Sequence, residues 1–322
     1  MRRTTAPRGK TDAASNDGRR AAWSARRALW LAIAVSAATL SCSEDDVASP
    51  TGPVRVVRPP MLVTSARTGN FDIYVMEADG SGMRQVTADA RSDQYADWAP
   101  DGFRFAFMSN RDGDFEVYTM LANGRDLRQL TNNTASDGFP RWSPDGKRLL
   151  FTSSRHGAFD LFVMTESGTD VVRLTRDAGD NIGGAWSPDG SRIAFVSSRS
   201  GSEEIYVMHA DGSDVVRLTS NQMIEGGRVV WSPDGSRLAF DASRDGNFDI
   251  YVIDVGGSHA MTRLTQNAAR DRFPTWAPDG NRIAFTSDRD GDDEVYVMNV
   301  DDTGHVRLTQ SAALDVLDSW RR

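Results

Sequence analysis

The chain has 322 residues, 39% of them hydrophobic, with a formal net charge of −8 and a single cysteine. An acidic protein disfavours nucleic acid, whose binding needs cations clustered against phosphates. A lone cysteine excludes an intrachain disulfide, so export of this chain does not imply a disulfide scaffold.

Residues 1–42 have the pattern of an export signal. A basic stretch that includes Arg26-Arg27 precedes the apolar run Ala28–Leu40, whose 13 residues are too short for a comfortable transmembrane helix. The ending Leu40-Ser41-Cys42 resembles the lipobox of bacterial lipoproteins, although Thr39 stands where that pattern usually has leucine. We therefore expect Cys42 to be the lipidated N-terminus of an exported protein. The alternative is a cysteine without a role inside a cleaved signal peptide.

The long basic stretch favours either a true start further along the chain or a twin-arginine signal. Residues 43–60 follow; they are polar, acidic at Glu44-Asp45-Asp46, and contain proline and glycine, so we interpret them as a flexible tether. Residues 1–42 hold eight of the 37 basic and two of the 45 acidic residues. The remainder therefore carries 29 basic against 43 acidic residues, a net charge of −14, which in its simplest interpretation favours solubility.

A tryptophan recurs along residues 61–322 at intervals of 44, 44, 45, 45 and 44 residues. Five of the six open the phrase W-[AS]-P-D-G, and the six are Trp98, Trp142, Trp186, Trp231, Trp276 and Trp320. A period of this length is typical of propeller blades made from four short strands. An aromatic residue that occurs once per blade is expected in the core between blades rather than in a ligand-stacking set.

One repeat shows the predicted strands. After Trp231, Ser232–Gly235 is turn chemistry and Arg237–Phe240 is a short apolar strand. A second turn leads to Asp249–Ile253, whose β-branched and aromatic residues predict a third strand. Arg263–Thr265 is predicted as the outermost strand.

The third strand recurs six times, each copy after an arginine and a glycine at fixed offsets. Its first residue is always acidic: Asp72, Glu116, Asp160, Glu204, Asp249 and Glu294.

The two ends of the repeat region are complementary. The first copy has a second strand at Met61–Val63 but no tryptophan phrase before it, and Trp320 has no second strand after it. The segment Asp318–Arg322 can therefore supply the missing innermost strand of the first blade. We predict an all-β, six-bladed propeller of four-stranded blades over residues 61–322, closed by this C-terminal strand.

The phrases W-S-P-D-G, R-I-A-F-x-S-x-R-D-G, E-I-Y-V-M and D-G-S-x-x-x-R-L-T resemble the repeat of the TolB propeller family over nearly all of residues 61–322. The resemblance implies a periplasmic six-bladed propeller that binds other envelope proteins. Members of the TolB type carry a further α/β domain before the propeller, and residues 43–60 are too few to hold one, so we expect that domain to be absent.

Candidate catalytic residues are lacking. No G-x-S-x-G elbow of a hydrolase and no H-x-x-x-H or H-E-x-x-H metal spacing occurs, and we expect no catalytic residue, metal or cofactor. The histidines His156, His209, His259 and His305 fall in predicted turns, where solvated side chains are expected. The acidic segment Asp288–Glu294 superficially resembles a calcium loop, but the equivalent positions of other copies include alanine and threonine, so a hairpin turn whose acid pairs with the repeated arginine is favoured.

Acidic residues also lie five positions before four of the tryptophans, where the innermost strand begins near the channel mouth. These are Asp93, Asp137, Asp271 and Asp315. Such a ring could bind a partner's basic group or a cation, whereas each aspartate could equally bind local backbone in its turn. Asn181 and Gly226 interrupt the ring, and asymmetry on a rigid scaffold can mark a binding surface.

The sequence thus predicts a non-catalytic, monomeric propeller that is exported to the periplasm or anchored at the outer membrane. Its expected partner is an envelope protein, with Asp93, Asp137, Asp271 and Asp315 at the predicted binding site and contact with the membrane only through a lipid anchor. A rival hypothesis is a propeller hydrolase or lyase that acts on a glycan or lactone at the channel mouth. A third is a structural envelope protein without a specific ligand.

Overall fold

The computed structural model describes residues 61–177, 179–220, 224–243 and 246–321, with the backbone alone at 224 and 225. The predicted signal peptide, Cys42 and the predicted tether lie outside the described residues. Throughout the described part of the chain, no helix is long and apolar enough to cross a membrane.

The described residues form six four-stranded antiparallel sheets, each of which is one blade. The innermost strands are β4 (Asp93–Trp98), β8 (Asp137–Trp142), β12 (Asn181–Trp186), β16 (Ile224–Trp231), β20 (Asp271–Trp276) and β24 (Asp315–Trp320). The second strands are β1 (Met61–Ser65), β5 (Arg104–Ser109), β9 (Arg148–His156), β13 (Arg192–Ser197), β17 (Arg237–Ser243) and β21 (Arg282–Ser287).

The third strands are β2 (Asp72–Met76), β6 (Glu116–Leu121), β10 (Ala158–Thr165), β14 (Glu204–His209), β18 (Phe248–Asp254) and β22 (Glu294–Asn299). The outermost strands are β3 (Arg84–Gln85), β7 (Arg128–Gln129), β11 (Val172–Arg173), β15 (Val216–Arg217), β19 (Met261–Arg263) and β23 (Val306–Arg307). Blade 1 consists of β24, β1, β2 and β3, and blades 2 to 6 follow in chain order from β4.

The predicted closure is confirmed. In blade 1 the strand β24 pairs antiparallel with β1, so that Trp320 lies opposite Met61 and Asp315 lies opposite Ser65. The first and last strands of the repeat region thus share one sheet, and the ring has no open inner edge in blade 1.

The core lies between neighbouring blades, which explains why the second and third strands are buried on both faces. Trp98, for example, packs in a cluster with Ile73 and Val75 of the preceding blade, and Trp320 packs with Val295 and Val297 of blade 6. All six repeated tryptophans are between 0% and 8% exposed, as expected for residues of the core between blades.

The outermost strands differ from the prediction. The predicted strand Arg263–Thr265 ends at Arg263, because the side chain of Thr265 turns inward and its Oγ1 accepts the backbone N–H of Ile250 at 3.0 Å. The same contact recurs in the other blades at 2.8 to 2.9 Å, for instance from Ile205 N to Thr219 Oγ1. The threonine of the R-L-T phrase thus replaces a ladder hydrogen bond with a side-chain clamp on the third strand.

Candidate functional site

One face of the propeller carries all the connections from second to third strands and from each outermost strand to the next innermost strand, because every pairing is antiparallel. We call it the loop face. The described connections from second to third strands are residues 66–71, 110–115, 157, 198–203, 246–247 and 288–293. The described connections from outermost to innermost strands are residues 86–92, 130–136, 174–177, 179–180, 218–220, 264–270 and 308–314. The opposite face, which carries the P-D-G turns, is the turn face.

The four predicted site aspartates lie at the inner rim of the loop face. Each carboxylate binds the Nη2 of the arginine that lies between or near the end of the second strand and the start of the third strand in its own blade; Arg155 belongs to the end of β9 and the other three to the connection. The pairs are Asp93–Arg111 at 2.9 Å, Asp137–Arg155 at 2.7 Å, Asp271–Arg289 at 3.1 Å and Asp315–Arg67 at 2.8 Å. All four aspartates are 0% exposed, and burial raises the pKa of Asp93 and Asp315.

This pairing is neither a free acidic ring nor a set of local backbone caps. The aspartates are placed together at one rim, as expected from their register, but the groups that reach solvent there are the guanidinium groups. The sequence signal for these pairs is the repeated arginine, which recurs 18 residues after Asp93 and Asp137. Whether these residues bind a partner stays a prediction.

The loop-face arginines are held from three sides. Arg111, for example, donates through Nε to Ser109 Oγ at 2.9 Å and lies 4.7 Å from the centre of the Tyr118 ring. The same arrangement recurs at Arg67, Arg155, Arg199 and Arg289. These five arginine side chains are 14% to 31% exposed, so each presents part of its guanidinium in a fixed position.

Two blades interrupt the ring. In blade 4, Asn181 Oδ1 accepts from Arg199 Nη2 at 2.8 Å, and the arginine turns its Nη1 to Asp177 at 2.9 Å. In blade 5 the residue paired with the last serine of the second strand, Ser243, is Ile224, where the other blades have aspartate or asparagine. Gly226, five positions before Trp231, lies instead in the irregular stretch of β16 between Glu225 and Val229, and a Cβ there would lie 1.8 Å from Oδ2 of Asp241.

The channel interior contains three partly exposed aromatic residues that sequence analysis missed. Tyr95, Phe139 and Phe273 come from blades 2, 3 and 6, and the ring of Tyr95 lies 4.5 Å from Phe139 and 6.5 Å from Phe273 between centroids. All three have positive φ angles of 54° or 55°, a conformation that is strained for aromatic residues. Strain of this kind concentrates at functional positions, so the channel is part of the candidate site.

Buried charges also meet in the channel. Arg228, which is 4% exposed, donates through Nη1 to the carbonyl oxygen of Leu317 in blade 1 at 2.9 Å. Burial and the nearby Arg141 lower the pKa of Arg228 to about 9. Asp318 and Asp241 face this arginine, and burial raises the pKa of each carboxyl to about 6.

Two further ion pairs complete the lining. Arg141 lies 3.5 Å from Asp97, which also accepts the backbone N–H of Trp142 at 2.8 Å, and Arg272 lies 2.8 Å from Asp293. The sequence signal for most of these residues is a departure between copies in the five positions before the tryptophan, where Arg228, for example, stands at the position of Tyr95. Such departures are visible in the sequence, but their convergence depends on ring closure.

The other candidate groups have structural partners. In the acidic segment, Asp288 pairs with Arg270 at 2.6 Å, and Asp290 pairs with Arg307 at 3.2 Å. The ring of His156 stacks on Phe162, and the remaining histidines bond to neighbouring turn residues. Among the residues that the structure describes, no three His, Cys, Asp or Glu side chains are grouped to hold a metal ion.

The chain matches a family model described as the TolB beta propeller domain over residues 128–230 and 225–321, which together make up more than half of its length. It is similar to the crystal structure of TolB from Acinetobacter baumannii, with 22% identity and a TM-score of 0.69, over 81% of this chain and 66% of that one. It is also similar to a putative TolB from Agrobacterium tumefaciens, with 23% identity and a TM-score of 0.65, over 81% of this chain and 92% of that one.

An oligogalacturonate lyase in complex with manganese shares the fold at 16% identity and a TM-score of 0.53, over 75% of this chain and 86% of that one. These structural likenesses concern the fold alone, and no curated protein matches the sequence. The family match covers the blades whose clamps, arginine pairs and tryptophan clusters are described above, and the chain belongs to the TolB beta propeller domain family.

Proposed function

We propose that this protein is a non-catalytic scaffold of the bacterial cell envelope that binds a protein partner on its loop face. The observation that carries the proposal is the composition of that face. The face carries both partly exposed arginines and partly exposed phenylalanines, namely Phe71, Phe115, Phe159 and Phe248. Arginine and aromatic residues are enriched among the residues that dominate binding energy in protein interfaces.

The buried aspartates give this surface its rigidity. Because Asp93, Asp137, Asp271 and Asp315 fix the arginines before a partner arrives, little side-chain entropy is lost on binding. We therefore assign these four residues a positioning role at the binding site, with the arginines and phenylalanines in contact with the partner.

The location of the protein is the second part of the proposal. The family match supports an exported bacterial protein. We propose that it is periplasmic and that Cys42 carries a lipid anchor that tethers a monomeric propeller to the envelope through residues 43–60. A surface with a net charge of −14 after removal of residues 1–42 suits a protein that works in water beside the membrane.

A matched pair of variants tests the binding surface. Wild type, Phe115→Ser and Phe103→Ser are used to capture proteins from solubilised envelope, since Phe103 is 41% exposed but belongs to a turn on the opposite face. We expect Phe115→Ser to lose a partner that wild type and Phe103→Ser both retain. Equal capture by all three proteins would contradict binding at the loop face.

A second test concerns the aspartates. Asparagine at all four positions should weaken capture of the same partner because the arginines lose their anchors. Weaker capture with little change in melting temperature supports the positioning role, whereas a large loss of stability supports a purely structural role.

The rival hypothesis of a hydrolase or lyase has a direct test. The scaffold proposal expects no turnover of glycans or lactones and no stoichiometric metal after dialysis. Elemental analysis that finds about one zinc, calcium or manganese ion per chain would contradict the proposal.

A further inference from the structure

The C-terminal strand β24 closes the ring without a covalent link to the strand beside it. Its pairing with β1 is interrupted between Leu62 and Val63, which face Ser319 and Leu317, so Asp318 is the extra residue of a β-bulge. The bulge turns this acid out of the ladder and into the protein interior, where it is 1% exposed.

Side chains bind both the carboxylate of Asp318 and the backbone of its neighbour Leu317. Thr64 of β1 donates through Oγ1 to Asp318 Oδ2 at 2.7 Å. The backbone of Leu317 accepts from Arg228 at 2.9 Å and donates to Thr286 Oγ1 at 3.0 Å. The seam therefore depends on a small polar cluster with an ionisable group at its centre.

The charged groups that act on Asp318 are Arg228 of β16 and Arg141 of β8. Of the strands packed against β24, β4 carries Tyr95, Asp93, which pairs with Arg111, and Asp97, which pairs with Arg141, whereas Met61–Ser65 of β1 has no titratable side chain. Charges on β20, β21 and β22, the other strands against β24, bind elsewhere in the pairs Asp271–Arg289, Arg272–Asp293, Arg282–Asp279 and Glu294–Arg307. Asp315, the other acid of β24, is bonded to Arg67.

We propose that closure of the propeller by β24 is linked to protons through Asp318, so that its protonated side chain stabilises the closed ring and its ionised side chain favours release of β24 into water. A neutral carboxyl keeps its hydrogen bond with Thr64 at this buried position. An ionised one is buried without a direct ion pair in the described structure, because Arg228 donates instead to the carbonyl of Leu317.

The direction of the effect follows from the ionisation of Asp318. Burial raises its pKa from 3.8 to about 6 in the closed ring, so the closed state binds the proton more tightly than the released strand. The stabilising contribution is complete below pH 3.8 and is lost as the pH rises through about 6. Arg228, whose pKa is lowered to about 9, keeps its charge throughout this range.

Hydrogen exchange of the full chain tests the proposal. Protection factors of the β24 amides, corrected for intrinsic exchange rates, should be about tenfold higher at pH 5.0 than at pH 7.5. Asp318→Asn should lose most of this dependence. Asp241→Asn removes the other channel carboxyl whose pKa is raised to about 6 but leaves β24 unchanged, so this variant should keep the dependence. Equal pH dependence in wild type and Asp318→Asn, or its loss in both variants, would overturn the proposal.

Thr64→Val provides a second test that leaves Asp318 in place. Removing the hydroxyl that stabilises the carboxylate should move the midpoint of the pH dependence to higher pH. An unchanged midpoint would show that the titrating group lies elsewhere.

Discussion

Thr219 Oγ1 donates to Glu204 Oε2 at 2.6 Å while it accepts the backbone N–H of Ile205 at 2.9 Å. One hydroxyl thus satisfies a buried carboxylate and the first free amide of a third strand. Because the outermost strand β15 contributes only two residues to the ladder, this contact also fixes the outer edge of blade 4 to the strand inside it.

Thr219→Val should destabilise the protein by about 1–3 kcal/mol, because the methyl group leaves both the amide and the carboxylate without this partner. Thr219→Ser keeps the hydroxyl and serves as the control. Urea denaturation of the two variants gives the comparison. Equal free energies of unfolding for valine and serine would show that the clamp contributes nothing.

Gln129→Arg should stabilise blade 2 at alkaline pH. In blades 3 to 6 the acid that begins the third strand pairs with an arginine of the outermost strand at 2.6 to 2.7 Å. Blade 2 has Gln129 at that position, and burial raises the pKa of Glu116 to about 7. In wild type, the stabilising contribution of protonated Glu116 is complete below pH 4.5 and is lost as the pH rises through about 7.

A new arginine should lower the pKa of Glu116 and increase the free energy of unfolding at pH 8 by about 1 kcal/mol, with less change at pH 5. Gln129→Lys, which adds the charge without the planar guanidinium, should gain less. Thermal melts at the two pH values measure the difference, and parallel gains at both would argue against Glu116 as the titrating group.

Truncation after Ala313 should be severely destabilising, because it removes β24 and leaves β1 with an unpaired inner edge. Loss of the buried Trp320 alone corresponds to about 3–5 kcal/mol, which is a large part of a stability of about 5–15 kcal/mol. Deletion of residues 43–54 is the control and should be nearly neutral. Similar melting temperatures for the two deletions would contradict the energetic importance of the seam.

Cys42→Ser should release the protein from the membrane fraction into the soluble fraction. The expectation follows from the Leu40-Ser41-Cys42 ending, and a lipoprotein needs more than one acyl chain because one alone anchors marginally. Fractionation and the mass of the mature N-terminus measure the outcome. A soluble wild-type protein cleaved at another residue would exclude the anchor.

The fold could be predicted because its determinants repeat. Each tryptophan and each third-strand acid lies at a fixed offset in its blade, so the strands assigned in one copy of the repeat can be assigned in the others. The closure of β24 on β1 followed from the missing pieces at the two ends. The prediction that Thr265 belongs to the outermost strand was wrong, because its hydroxyl binds the third strand in place of a ladder hydrogen bond. In a sequence pattern such a threonine cannot be told from any other β-branched strand residue.

The channel was harder to predict for a physical reason. Arg228 and Leu317 are 89 residues apart, and they meet only because blades 5 and 1 face a common axis. Neither belongs to a repeated phrase, so a comparison of copies carries no information about their contact. The rim aspartates were placed correctly at the inner strand, but their burial under arginines depends on the side-chain packing of each blade.

The outermost strands have two or three residues each, which has a consequence for recognition. A foreign strand that lay along the perimeter of a blade would find only one or two free ladder positions before the chain turns away. The six sheet edges are therefore poor templates for strand addition, both by partners and by other copies of the chain. Specific recognition has to come from side chains on the two faces, and the protein can expose six sheets at high concentration without joining them edge to edge.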